Sequence, residues 1–210
     1  MFSFLKKNIG PSFPDKVWRT RPIAWKEITT EALRVAQRIE TPIVVGFFPR
    51  TLHDYENYLV SLNVPTKRPA YGEAIESNVL YTADASALLS DQLIDTLKQR
   101  AQVSKLCFLF LGHHPLLSNE NNLIKKLSEV IGNQMNGSFW LSFDDPLLKK
   151  FGSEKILPLL DKLGMKEDEC VEHTMVSKSI SNAREKISKH VRMEITADSE
   201  EEWFERNFQK

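Results

Sequence analysis

The sequence predicts an α/β domain built on a mostly parallel sheet and followed by an α-helical extension. Apolar runs such as IVVGFF (43–48) and LCFLFL (106–111) show no polar alternation, as strands covered on both faces require. Segments with apolar residues three to five apart lie between these runs, so strand and helix alternate along the chain. From Asp145 onward every segment reads helical.

Residues 1–15 carry Gly10, Pro11 and Pro14 and read as an irregular arm. Ile23, Ile28, Ala32, Val35 and Ile39 then form one helical face, and Pro42 introduces the first strand, 43–48. After Pro49, Thr51 and Asp54 make a T-x-x-D capping pattern for a helix running to about Leu62. Two prolines and Gly72 make 63–77 a loop, and NVLYTA (78–83) is a second strand. Asp84 and Ser86 are candidate caps for a helix over 87–102, and KLCFLFLG (105–112) is a third strand. HHPLLSNENN (113–122) is polar and turn-like, ahead of a stripe of Leu123, Leu127 and Val130. SFWLSF (138–143) is the fourth strand. Beyond it, Ser153 is placed to cap a helix that Gly164 stops, and Pro158 should shift its start or kink it. In the next helix Val176, Ile180, Ala183, Ile187 and Val191 share one apolar face, with Lys178, Arg184, Glu185, Lys186 and Lys189 as its solvated side. The acidic end, DSEEEWFERNFQK, is a short helix or a frayed tail.

At 210 residues, 41% hydrophobic and 27% charged, the chain suits one domain with a sizeable core and a helical appendage. Lys plus Arg (28) balances Asp plus Glu (28), which gives no global attraction for nucleic acid or an anionic membrane. Two separated cysteines form neither a disulfide framework nor a CxxC pair, and Cys107 reads as core filler. The longest apolar run is far short of the about 20 residues a membrane span needs. The start, MFSFLKKNIGPSF, places its apolar cluster ahead of its lysines, the reverse of a secretory signal. A cytoplasmic location is expected.

No GxxxxGK[ST] or GxGxxG stretch occurs, so the chain lacks the Cβ-free turn that cradles phosphate and is not an autonomous ATPase. Asp144 and Asp145 end a strand as a magnesium-holding acid would. Pro146 follows them, and Asp before Pro is also how a helix opens, which is the favoured reading. His113 and His114 close a buried strand, where open α/β sheets bind ligands. No third ligand stands at metal spacing, so an exposed loop pair is the simpler expectation. No GxSxG elbow appears, and the four tryptophans are scattered.

The stretch 139–187 resembles the end of the second nucleotide-binding domain of the SecA preprotein-translocase family and its run into the helical scaffold. The matching elements are Leu141-Ser142, Asp144-Asp145, Phe151-Gly152, Leu163-Gly164-Met165, Val171-Glu172-His173, Val176, Lys178, Ile180 and Asn182-Ala183. Residues 16–28 and 41–65 resemble the opening of the same domain, and 66–137 is similar only in the order of its elements. The resemblance implies a RecA-like three-layer lobe over 16–150, the second lobe of a helicase-type motor, with a helical extension over 151–210.

The departures from that family concern nucleotide. Its Gly-Arg-Gly-Thr-Asp turn reads ASALLSD (85–91) here, with Asp91 alone surviving. Its arginine-rich run is replaced by NLIKKLSEVIGNQ (122–134), and Lys125 and Lys126 cannot reproduce a guanidinium fork. Losing an arginine finger costs about 10³–10⁵ in rate. The resemblance therefore implies a non-catalytic, protein-binding module linked to translocation, with a translocase motor or motor lobe as partner. No cofactor is expected, and no ATP or ADP binding without a partner lobe. Val176, Ile180, Ala183 and Ile187 are the candidate partner face. The alternatives are an enzyme with a new pocket at the sheet's carboxyl edge, around Asp84, Asp91, His113, His114 and Ser118, and a nucleotide- or RNA-binding remnant.

Overall fold

The computed structural model describes residues 13–208 except 39, 77 and 163. Six strands form one all-parallel sheet: β1 (Asp15–Trp18), β2 (Thr41–Gly46), β3 (Thr66–Lys67), β4 (Leu80–Asp84), β5 (Leu106–Leu111) and β6 (Met135–Ser142). Their order is β1-β6-β5-β2-β4-β3. Along the central strands successive side chains serve opposite faces, so each strand feeds two cores. Val44, Leu109, Leu111 and Trp140 meet α1 (Arg21–Gln37) and α2 (Pro49–Ser61) through Ile28, Ala32, Leu52 and Tyr55. Ile43, Val45, Phe108, Phe110 and Phe139 meet α3 (Asp91–Ala101) and α4 (Leu117–Ile131) through Leu97, Leu123 and Leu127. The result is a three-layer α/β RecA-like lobe with C-terminal helices.

Those helices are α5 (Pro146–Lys150), α6 (Ser153–Lys162), α7 (Thr174–His190) and α8 (Glu200–Asn207). Ile180, Ile187, Trp203 and Phe204 enter the core of the second face. Backbone bonds in both directions between Val17 and Val171 lay the α6–α7 connection against the β1 edge. Gly164 takes φ +74° where α6 ends, which is the left-handed stop its sequence position suggested. No helix among the described residues is long and apolar enough to cross a membrane.

Several local expectations change. Residues 1–12 of the irregular arm lie outside the described residues, but Asp15 opens a strand that pairs with Phe139. The first strand ends at Gly46, which leaves Phe47 and Phe48 beyond the sheet. The Thr51–Asp54 capping pattern is not used: α2 opens at Pro49 behind Phe48, because proline's fixed φ suits a first turn. Asp84 and Ser86 do not cap α3. A short 3₁₀ turn, Ala87–Leu89, intervenes and Ser90 Oγ accepts from Leu93 N. The turn-like reading of 113–122 fails from Leu117 on, where α4 begins with Asn121 and Asn122 outward and Glu120 turned in.

Candidate functional site

Strand order reverses between β2 and β5. The chain leaves β2 toward α2 on one face and leaves β5 toward α4 on the other, so a crevice should open at their carboxyl ends. Here the crevice is filled by the chain itself. The His114 ring stacks on Phe48 at 5.4 Å and meets Phe47 edge-on at 5.8 Å. Trp203 of α8, fully buried, closes it from outside at 5.9 Å. Glu194 ties this closure down, accepting from Trp203 Nε1 (2.7 Å) and Asn119 Nδ2 (2.8 Å) and standing 3.3 Å from His114 Nε2. A cavity of about 230 Å³ survives between this C-terminal strap and the sheet, lined in part by Ser86, His114 and Trp203.

The two histidines are not an exposed loop pair; both are buried. Gly112, at φ +79°, turns the chain after β5 and sends the rings to different partners. His113 lies 2.8 Å from Glu120 on α4 and 3.0 Å from Asp15 on β1. Burial acts to lower the His113 pKa, but Glu120 and Asp15 outweigh it and raise it, favouring imidazolium. Burial acts to raise Glu120 and Asp15, and their cationic neighbours hold both below the usual range. His114 Nδ1 accepts from Leu116 N at 3.0 Å, and burial lowers its pKa, so this ring is neutral. Arg184 completes the cluster: Nε donates to His114 O (2.9 Å) and Nη1 to Glu120 Oε1 (3.0 Å). Arg184 is 3% exposed and does not belong to the solvated side of its helix.

Asp84 and Asp91 stand apart from the histidines. Asp84 accepts from Arg68, whose guanidinium also forks onto Glu56 beside Thr82. Asp91 pairs with Lys126 on the surface, and Ser118 is exposed on α4. The five residues of the expected pocket therefore lie in separate environments. Burial pushes the Cys107 thiol up to about 12, as suits a filler.

Asp145 occupies the position before Pro146, but its carboxylate turns back to Ser142 N (2.8 Å) and Oγ (2.9 Å) and accepts from Arg21 Nε (3.3 Å). Asp144 accepts from Arg21 N at 3.1 Å. The opening turn of α5 is capped from elsewhere, since Leu147 N donates to Glu200 of α8 at 3.0 Å. Among the described residues no group of three or more His, Cys, Asp or Glu side chains is arranged to hold a metal. Sequence reasoning missed Arg184, Glu120 and Glu200. For Arg184 a signal existed, because it follows Ile180 by four and precedes Ile187 by three, within the buried stripe.

The partner-face residues divide. Ile187 is sealed in the core, whereas Val176, Ile180 and Ala183 line an open groove between α7 and the α5–α6 pair.

The geometry defines an α/β lobe whose ligand-binding edge is packed with its own side chains. No protein-family model matches the chain. Parts of it are similar to protein translocase subunit SecA of several bacteria. Identity is 45% over 67 residues with the Acidithiobacillus ferrooxidans protein, covering 32% of this chain and 7% of that one. It is 40% over 86 residues with that of Ehrlichia chaffeensis, covering 41% and 10%. With Laribacter hongkongensis SecA it is 31% over 122 residues, covering 55% and 13%. The chain thus contains a SecA-related region, and its matches span a small fraction of those proteins' length.

Proposed function

We propose that this chain is a SecA-related second lobe that no longer handles nucleotide and acts by binding another protein in a translocation setting. The observation that carries the proposal is the filled crevice: Phe47, Phe48, His114 and Trp203 occupy the place where a parallel α/β sheet takes its ligand. The surroundings agree. The turn after β4 is a 3₁₀ segment of Ala87, Leu88 and Leu89, and Lys126 is spent on Asp91 and Leu89 O. Arg184 and Arg21, two of the guanidinium groups near the edge, are held by Glu120 and Asp145.

Magnesium with ADP or ATP, titrated against thermal unfolding of the full chain, tests the reading. Ligand at 100 times its dissociation constant adds about 2.7 kcal/mol. No shift is expected with either nucleotide at millimolar concentration, and a saturable rise in melting temperature would overturn the proposal. The small-molecule alternative has one observation in its favour, the cavity beside neutral His114. It requires a ligand that quenches or shifts Trp203 fluorescence.

A further inference from the structure

Helices α5, α6 and α7 enclose an open groove of about 510 Å³. Ile180 and Ala183, nearly buried, form its floor, with Phe143 and Leu148 on the side of α5. Phe151 and Ile156, each 37% exposed, and Met175, 69% exposed, stand on its rim. A connected apolar surface of this kind marks a place of contact, whereas single exposed apolar residues do not.

Among the groove's described lining residues Lys186 is ionisable and none is a carboxylate. Met175 lies at one end of the α7 wall and Lys186 three turns further along. At the Lys186 end, Phe151 packs against Phe208 at 6.3 Å, Lys150 Nζ lies 5.9 Å above the Phe208 ring, and His190 meets that ring at 5.7 Å. The feature is an apolar trough with a cationic end.

We propose that this groove docks an amphipathic helix of a partner protein, its apolar stripe in the trough and its carboxylates against Lys186 and Lys150. This rests on the protein-binding reading and gives it a location. The volume holds two or three large side chains, the anchors that a helix presents at i, i+3 or i+4, and i+7. An unbranched thioether such as Met175 adapts to the shape of what enters. A helix flanked by lysines would meet like charge at the cationic end.

The test uses the full chain labelled with [methyl-¹³C]methionine. The probes are a 15-residue synthetic helix with leucines at that spacing and glutamates on its flanks, and a counterpart with lysines in their place. The Met175 methyl resonance, assigned with Met175→Leu, should shift saturably with the glutamate peptide, while Met193, 83% exposed and outside the groove, stays still. The lysine peptide should bind at least tenfold more weakly, and Lys186→Glu should reverse the preference. Equal affinity for both peptides, or no movement of Met175, overturns the proposal. So does a Met175 shift on concentrating the protein alone, which would make a second copy the occupant, or one produced by phosphatidylglycerol vesicles but not by peptide. A silent groove without a nucleotide response removes this surface alone. A nucleotide response removes the reading beneath it.

Discussion

Glu200 and Asp145 are half-buried near one another, with Arg21 as their cationic neighbour. Burial first, then the Asp145 carboxylate, pushes Glu200 well above the ordinary carboxylate range. The folded state therefore keeps this proton longer than the unfolded state. Its contribution to stability is present at low pH and is lost as pH rises through the folded value. Glu200→Gln retains the oxygen that accepts from Leu147 N and removes the charge. Its melting temperature should match the parent's at pH 5 and exceed it at pH 8; a less stable variant at pH 8 would show that the ionised group is well accommodated. Arg184 presents the opposite case. Arg184→Met leaves Glu120 buried with half its compensation, and chemical denaturation should report a loss of about 3–5 kcal/mol. Arg184→Lys should recover little, because an ammonium cannot reach His114 O and both Glu120 oxygens together. Neither role was visible from charge counting, since a buried ion in a helix differs from a surface one in what stands opposite it.

At the level of elements, β2 and β5 were legible because uninterrupted apolar runs leave no solvent face for the strand, and β6 through its aromatic SFWLSF stretch. The edge strands β1 and β3, four and two residues long, carry too few side chains to establish a period. The start of α4 was hidden because Ser118, Asn121 and Asn122, the residues that read as a turn, face water on a helix whose other side is core. The α8 segment reads as a short helix or a frayed tail; it is the helix, and Trp203 and Phe204 make it part of the core while Glu200 makes it the cap of α5. Trp203→Ala should cost about 3–5 kcal/mol in equilibrium unfolding, since it opens a cavity against His114 as well as removing contacts. A loss under 1 kcal/mol would mean that the strap contributes little to the fold. Gly112→Ala, which forces φ +79° on a residue with a Cβ, should cost about 1–2 kcal/mol.

For the whole molecule, the buried ions combine into a pH response. His113 is raised from its ordinary 6.5, so its contribution is complete below that value and fades as pH climbs through the folded one. Glu120 and Asp15 are lowered, so theirs is present above their ordinary values of 4.5 and 3.8 and fades in acid. His114, lowered, subtracts below 6.5. Unfolding free energy from urea titration should therefore be lower at pH 8.5 than at pH 6.5, and Glu200→Gln should shrink the difference. The histidines were found in the sequence as the residues closing β5, but their burial was not, because Asp15, Glu120 and Arg184 come from three distant segments. That same distance governs how the chain can be made. Asp15 has no sheet neighbour until Phe139 exists, and Val17 waits further for Val171. During vectorial synthesis β1 must therefore remain unpaired until β6 has left the ribosome. Its docking becomes a late, long-range closure, and a chaperone that shields unpaired strands would find its natural substrate here.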